Sequence, residues 1–347
     1  MRTTLKGSPV VAAPGKVFLV GEYAVLEGGT SVLAAVNRVA VGEFIPELDP
    51  GSPLVAQAVK AALAALGDKG RALPAGSVWI DTGAFAATGD AQADAAESVG
   101  VRKLGLGSSA ATAACAVGAV LEMAGLPITA HRDLAYSLAE SAHRAWQDGA
   151  GSGADVATAV YGGVLQFTRP SGGTPVVRNI SGGLGALQLM VFSSRTAVST
   201  TNQIRTMRAF AEREPERYAG LLAPVREAAE RFVESLASRN ARETIAATRA
   251  SGEALLMLGD AAGVPIVTPP FARASAIAAE LGGAAKPSGA GGGDIGIALF
   301  ANLAAAQAFA ERVAGERGAG LQILDLKIDD NGLHRRDAGI ATREHNV

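Results

Sequence analysis

The 347-residue sequence is poor in the residues that build disulfides and metal cages. It has one cysteine, Cys115, and four histidines, none of them in a paired zinc-ligand spacing. One cysteine cannot form an internal disulfide, and so few ligating residues argue against a structural zinc site. Nothing in the composition therefore requires an oxidising compartment.

Charge of either sign is also in short supply. The 31 basic and 33 acidic residues leave a net charge of −2, and charged residues make up 18% of the chain. This near-neutral balance argues against binding to nucleic acid or to an anionic membrane by bulk electrostatics, and we expect neither partner. Hydrophobic residues make up 48%, which excludes general disorder. The length suggests two domains or one large one.

Long hydrophobic runs are scarce, and only one comes near the length of a membrane span. Leu104–Leu121 has 18 residues without a charge, but it opens with glycines and serines and continues mostly as alanine. Small residues contribute little to transfer into hydrocarbon and suit a closely packed core helix. The first 16 residues have no apolar stretch of signal-peptide length. We therefore expect a soluble, cytoplasmic protein.

Glycine, in contrast, is abundant, and its 43 residues are clustered. The first cluster lies in the segment APGKVFLVGEYAVL at 13–26. Pro14-Gly15 predicts a turn before Lys16, and 17–20 is an apolar, β-branched run typical of a strand. By itself Lys16 could be a solvated residue at a strand edge. The polar groups of Gly21-Glu22-Tyr23 after the strand favour a site.

The second cluster, KLGLGSSAA at 103–111, leads directly into a predicted helix over 108–123. Glycine lets a backbone approach a ligand closely, and a helix N-terminus attracts anions such as phosphate. Ser108 and Ser109 could cap the helix or hold a magnesium ion beside the phosphates. The string also fits the dinucleotide pattern G-x-G-x-x-A, but no evident strand precedes it.

Two more small-residue segments follow. KPSGAGGGDIG at 286–296 has four glycines in five positions, which indicates close approach of a ligand because a plain turn rarely needs so many. In GAGSGADVATAVYGG at 149–163, Asp155 stands just before an apolar helix. On local grounds Asp155 is expected to be a helix N-cap.

The remaining pattern predicts an α+β protein of two lobes, with no internal repeat and no regular βαβ alternation. The connector at 169–175, rich in Pro, Gly and Ser, predicts the boundary between them. Predicted helices lie at 53–66, 108–123, 131–146, 216–236, 241–258, 271–281 and 303–313. Predicted strands lie at 17–20, 31–44, 78–81, 164–168, 187–193, 295–300 and 321–328.

The four segments, in this order, resemble the GHMP family of small-molecule kinases. The resemblance runs from Ala13 to the last predicted strand, and the conjunction of the segments is specific although each is weak alone. It implies an N-terminal lobe like ribosomal protein S5 domain 2, over 1–170, which binds ATP. It also implies a ferredoxin-like C-terminal lobe over 171–347.

Within this family the strings are most similar to phosphomevalonate kinases. KLGLGSS, GSGADVATAVYG and KPSGAGGGDIG match strings of that subgroup, as does the Ser/Thr-rich segment at 198–201. Mevalonate kinases usually carry His where Tyr23 stands. One departure is Asp148-Gly149-Ala150 before the GSG segment, where relatives have Gln-Gly-Lys. If that lysine grips substrate phosphate, Arg195 or Arg144 is expected to replace it.

The resemblance implies a role for each matching residue, with ATP and Mg²⁺ as cofactors and phosphomevalonate as the acceptor. The catalytic pair would be Lys16 and Asp155. The ATP phosphates would be cradled by Gly105, Leu106, Gly107, Ser108, Ser109, Ala110 and Ala111. The acceptor would be bound by Lys103, Tyr23, Ser152, Ser288, Gly289, Ala290, Gly291 and Arg195. Mg²⁺ would be held by Ser109 and Glu140, although Glu140 could equally be a solvated helix carboxylate.

Three functions remain open at this point. The first is a phosphomevalonate kinase, the second is a mevalonate kinase or another GHMP kinase, and the third is a GHMP-fold protein that binds its ligand without turnover. The presence of both Lys16 and Asp155 argues against the third, because a pure binding protein does not need that pair. We expect a monomer or a homodimer.

Overall fold

A computed structural model describes residues 8–86, 103–149, 151–170, 173–194, 200–316 and 320–336. Within these ranges the chain forms two antiparallel sheets covered by helices, which is the expected α+β composition. The strands are β1 Val10–Val20, β2 Ser31–Pro46, β3 Gly76–Asp81, β4 Val164–Thr168, β5 Val176–Asn179, β6 Gln188–Ser194, β7 Ala284–Pro287, β8 Ile295–Phe300, β9 Leu321–Leu324 and β10 His334–Arg336.

The helices lie mostly where alanine-rich periodic segments predict them. They are α1 Pro53–Leu66, α2 Asp68–Arg71, α3 Ser108–Met123, α4 Arg132–Trp146, α5 Ala154–Tyr161, α6 Thr200–Arg213, α7 Pro215–Ala237, α8 Ala241–Ala262, α9 Pro269–Glu280 and α10 Leu303–Gly315. The sequence analysis did not predict α6. That segment is polar overall, and its apolar residues Ile204, Met207 and Phe210 form only a narrow stripe at helical spacing, which could have indicated the helix.

The first sheet is built around a long hairpin. Its order is β10-β1-β2-β4-β5, with β3 also paired to β2. Strand β1 begins at Val10 and runs through Pro14-Gly15, where the register against β2 shifts. The turn predicted before Lys16 is therefore wrong. The two residues form an irregularity inside a continuous strand, which bends the strand and re-aims the side chain that follows.

Helix α3 is the centre of the N-terminal core. Eleven of its sixteen residues are buried, and it packs on β1, β2, α1 and α4. Alanine allows this close approach on several sides at once. The uncharged run is thus a core helix, as expected. No helix among the described residues is long and apolar enough to span a bilayer.

The second sheet has the order β7-β8-β6-β9. Counted along the chain within this sheet, the order is 2-3-1-4, and α9 and α10 complete a βαββαβ unit into which α6–α8 are inserted. This is the ferredoxin-like arrangement expected for the C-terminal lobe.

The lobes are less separate in the chain than the sequence suggested. Strand β5 pairs with β4, and β10 pairs with β1, so the first sheet recruits two strands from beyond residue 170. One hydrophobic cluster joins residues of both lobes, among them Val17, Phe232 and Ile297. The site described next lies where the two lobes meet.

Candidate active site

Lys16 lies on β1 at the meeting point of two glycine-rich segments. Its side chain is only 9% exposed. Its ammonium donates to the carbonyl of Gly105 at 3.3 Å and lies 5.3 Å from the ring centroid of Phe18. Burial lowers its pKa below the usual 10.5, and the negative charges of Asp155, Glu22 and Asp294 oppose this shift. Lys16 is thus a buried cation among carboxylates.

The segment 105–109 passes directly over Lys16. The amide of Lys16 donates to the carbonyl of Leu106 at 2.8 Å. Gly107 is the N-cap of α3 with φ +80°, and a Cβ atom there would lie 3.1 Å from the Lys16 side chain. The serines do not cap α3, because they lie inside its first turn and no side chain caps it. The first amides of the helix are therefore available to an anion.

Ala111 does not fit its expected contact with phosphate. Its amide donates to the carbonyl of Gly107 within the helix, and its side chain is fully buried. It therefore has no donor left for a ligand. The amides of Ser108, Ser109 and Ala110 belong to the uncapped first turn and are the ones that remain available to an anion.

The two residues expected to hold a metal lie near each other through α4. The hydroxyl of Ser109 lies 3.0 Å from Nε2 of His143, which is buried. Glu140 precedes His143 by three residues, which puts both side chains on one face of the helix. Glu140 pairs with Arg169 at 2.9 Å and with Arg144 at 3.7 Å.

Asp155 lies in the first turn of α5 and does not cap it. The N-cap is Gly153, with φ +84° and no side-chain cap. The carboxylate of Asp155 accepts only from the amide of Val156 among the hydrogen bonds described for it, at 3.0 Å, and its charge raises the pKa of Lys16. The expected N-cap role is therefore wrong. The carboxylate instead acts through its charge on the buried ammonium of Lys16.

The third glycine-rich segment is held against β1 and the residues that follow it by two side chains. The hydroxyl of Ser288 accepts from the amide of Phe18 at 2.8 Å. The hydroxyl of Tyr23 donates to the carbonyl of Ala290 at 2.7 Å, and burial raises its pKa, so it keeps the proton that this bond needs. A Cβ atom on Gly289 would lie 3.9 Å from the Lys16 ammonium. Tyr23 and Ser288 thus position the loop, and any contact of theirs with substrate stays a prediction.

A buried ion pair joins the lobes behind this loop. Nζ of Lys286 lies 2.5 Å from Oε1 of Glu22, and the two side chains are 0% and 1% exposed. The same carboxylate oxygen accepts from the amide of Gly289 at 3.4 Å. Because Glu22 belongs to the N-terminal lobe and Lys286 to the other, the pair fixes the distance between β1 and the third loop.

Gly291 is a glycine for a reason that the sequence analysis did not foresee. Its φ is +83°, and a Cβ atom would lie 2.5 Å from the carbonyl oxygen of Ile266. Packing against a backbone, and not only the approach of a ligand, therefore excludes a side chain here.

We expect Gly291→Ala to lower the free energy of unfolding by more than Gly282→Ala. Gly282 also has a positive φ, +77°, but nothing lies within 4 Å of its missing Cβ. The control should lose about 1–2 kcal/mol from backbone conformation alone, and Gly291→Ala should add the cost of displacing Ile266. Urea unfolding at 25 °C measures both. Equal losses would show that the contact with Ile266 is unimportant.

Two other predicted residues lie at the edge of the site, and a third is not described. Lys103 is exposed and forms a β-bridge with Ala86. Ser152 accepts from the amide of Ala154 at 3.3 Å and lines a pocket together with Arg144. Arg195 lies outside the described residues.

Sequence reasoning gave no role to several residues that the fold brings here. A Cβ atom on Gly105 would lie 3.1 Å from that of Asp294, which places this aspartate beside Lys16. Glu22 and Asp294 stood inside the quoted motifs, so proximity to the glycines could have indicated them. His143 and Arg169 carried no such signal, because each is a single polar residue far from its partner in the chain.

Comparisons with known proteins match segments in both lobes of the chain. The model for the GHMP kinases N-terminal domain matches residues 96–163, and the model for the GHMP kinases C-terminal domain matches 226–320. A phosphomevalonate kinase from Streptomyces sp. (strain CL190) is 27% identical, over 86% of this chain and 91% of its own.

Solved structures share the fold. A Streptococcus pneumoniae phosphomevalonate kinase in complex with phosphomevalonate and AMPPNP has a TM-score of 0.76 at 19% identity, over 92% of this chain and 99% of that one. The L. major mevalonate kinase in complex with R-mevalonate has a TM-score of 0.68 at 18% identity, over 96% and 98%. At these identities the structures show the two-lobed fold alone. The two domain models show that the chain carries the N- and C-terminal domains of the GHMP kinases.

Proposed function

We propose that this kinase transfers the γ-phosphoryl group of ATP to the phosphate of phosphomevalonate, giving diphosphomevalonate and ADP. The observation that carries the proposal is the buried Lys16 ammonium, which lies between the 105–109 segment and the third glycine-rich loop and is stabilised by the charge of Asp155. Phosphoryl transfer asks a protein chiefly for positioning and charge neutralisation, and this arrangement offers both. The Streptomyces relative supports the choice of acceptor.

The uncapped first turn of α3 would bind the ATP phosphates. An oxygen of the acceptor phosphate forms a bond to the γ-phosphorus, while the bond from this phosphorus to the oxygen bridging to ADP breaks. Negative charge on the transferring group has to be offset throughout. Lys16 supplies a cation that is fixed before the reaction and shielded from water, where electrostatic stabilisation is strongest.

The residues present fit Mg²⁺. Ser109 offers a hydroxyl oxygen and Glu140 a carboxylate, and Mg²⁺ commonly takes one or two such oxygen ligands from a protein together with substrate phosphates. Ser109 and Glu140 would supply the protein ligands. The hydroxyl of Ser109 is oriented by His143, while Arg169 fixes Glu140. When bound, the ion would neutralise part of the phosphate charge.

A mevalonate acceptor is the second candidate, and Asp155 favours it. An alcohol must lose a proton as it attacks, and a positioned carboxylate contributes about 10²–10⁴-fold as a base. A phosphate acceptor gains little from a base, because its second pKa lies near ~6 and it is mostly a dianion at neutral pH. Asp155 would then act mainly by positioning Lys16.

A coupled assay of ADP release separates the two acceptors. We expect turnover with phosphomevalonate and almost none with mevalonate. We also expect an acidic limb in the pH profile at about pH 6, and the same limb in Asp155→Asn, because the acceptor itself titrates there. Turnover of mevalonate without activity on its phosphate would transfer the assignment to the second candidate. If neither acceptor supports ADP release, the acceptor is a different small molecule.

A further inference from the structure

A pocket of about 540 Å³ lies in the N-terminal lobe, between α1, α2 and the first residues of β3. This is a size suited to a small ligand. Much of its wall is apolar, with Val59 and Leu63 contributed by α1 and Pro50 by the segment before it. Such a wall favours a ligand that has an apolar body.

This pocket is separate from the candidate active site. Gly76, which lines it, pairs with Pro46 on β2, whereas Lys16 pairs with Ala35 on the same strand. These two positions on β2 are eleven residues apart, which corresponds to roughly 30–35 Å along an extended strand. Neither Lys16 nor the segment 105–109 lines the pocket. A ligand bound here would therefore not touch the reacting phosphates.

One hydroxyl in the pocket lining is buried without a hydrogen-bond partner. Ser77 lines the pocket and is only 1% exposed, and within the described part of the chain nothing bonds to its Oγ atom. An unpaired buried hydroxyl costs free energy, so such groups are normally satisfied. An oxygen of a bound ligand would give this hydroxyl its partner.

The two charged residues that line the pocket are both positive. Lys60 is exposed on α1, and Arg71 is exposed at the end of α2. No acidic residue of the described ranges lines the pocket with them. Arg71 pairs with Asp68, but their side chains are 76% and 94% exposed, and so exposed a pair contributes little. Both cations are therefore available to an anion.

We propose that this pocket binds a small amphipathic anion, which lays its apolar body against Val59 and Leu63 and bonds its carboxylate or phosphate oxygens to Lys60, Arg71 and Ser77. Charge-assisted hydrogen bonds from ammonium and guanidinium groups suit either kind of oxygen. The inference does not depend on the proposed function, because no residue assigned to the candidate active site lines this pocket. The chain would thus carry a second ligand site in its N-terminal lobe.

Ligand-observed NMR titrations of the full chain test the proposal with three eight-carbon probes, octanoate, octyl phosphate and neutral 1-octanol. At least one of the two anions should bind, and 1-octanol should bind about tenfold more weakly or less. The two anions distinguish a carboxylate ligand from a phosphate ligand. No binding of either anion, the result expected if a second copy of the chain covered the pocket, would overturn the proposal. Equal affinity for 1-octanol would do the same.

Two charge variants and a matched control locate the bound anion. Lys60→Gln and Arg71→Gln should each raise its Kd about tenfold, whereas Lys69→Gln should leave the Kd unchanged. Lys69 is exposed on α2 but does not line the pocket. Equal effects of all three variants would mean that the anion responds only to net charge, and the proposal would fail.

Two further variants test the pocket itself. Ala64→Phe should abolish binding because Ala64 lines the pocket, whereas Ala65→Phe, at the next exposed position of α1, should leave the Kd unchanged. Ser77→Ala should raise the Kd several-fold without lowering the free energy of unfolding, because the hydroxyl has no partner to lose. Urea unfolding measures the second effect. An unchanged Kd in Ala64→Phe or in Ser77→Ala would overturn the assignment.

Discussion

Replacing Lys16 by methionine should lower kcat by about a thousandfold, with KM for both substrates changed only a few-fold. The ammonium would stabilise charge that is greatest in the transition state, and loss of one such group typically costs about 10²–10³ in kcat. The protein should remain folded, because methionine is of similar length and Glu22 keeps its buried ion pair with Lys286. Steady-state kinetics and thermal unfolding measure the two effects separately.

The control for this variant is Lys69→Met, which removes an exposed lysine on α2 and should leave kcat unchanged. A pH profile adds a readout of the wild type. Since burial lowers the pKa of Lys16, kcat/KM should fall on the alkaline side below pH 10.5, as the ammonium loses its proton. A folded Lys16→Met protein with near-normal kcat would remove Lys16 from the mechanism.

Replacing Lys286 by methionine should have the largest effect on stability, a loss of about 3–5 kcal/mol. The variant removes the ion-pair partner of the buried Glu22 carboxylate and leaves it the Gly289 amide at 3.4 Å as a hydrogen-bond donor. An uncompensated buried charge is costly, whereas neutralising both partners is not. The double variant Glu22→Gln/Lys286→Met should therefore recover much of the loss. Urea unfolding at 25 °C of Glu22→Gln, Lys286→Met and the double variant gives the coupling free energy between the two side chains.

Arg273→Met is the matched control for this cycle. Arg273 pairs with Glu316 at 2.6 Å, but both side chains are partly exposed, and such surface pairs contribute little. We expect no measurable loss of stability. If Lys286→Met unfolds like this control, the buried pair does not hold the lobes together.

Local sequence was sufficient where a segment carries its own physical signal. The alanine- and leucine-rich stretch at 53–66 forms α1 with the predicted bounds, and the uncharged run after Gly107 forms the buried helix α3. Periodic apolar residues determine such helices because burial of one face supplies most of their stability. The prediction failed where a narrow apolar stripe lies in a mostly polar segment, as in α6, or where a strand continues through an irregularity, as at Pro14-Gly15.

The candidate site also has a part that the sequence predicts and a part that it does not. Its glycine-rich segments could be found from the sequence, because clustered glycines are costly and indicate close approach. The contacts between them could not, since they join residues far apart in the chain. Lys286 and Glu22 are separated by 264 residues, and Lys16 and Gly105 by 89.

The sequence by itself determined the family, the glycine-rich segments, the core helices and the candidates Lys16 and Asp155. Only the tertiary structure decided that Asp155 acts through its charge on Lys16 without capping its helix, that Gly291 packs on Ile266, and that two cations and an unpaired hydroxyl line one pocket. The physical reason is that propensity and periodicity act over a few neighbouring residues. Electrostatic and packing contacts depend on distance in space, which the fold sets when it closes two lobes around β1.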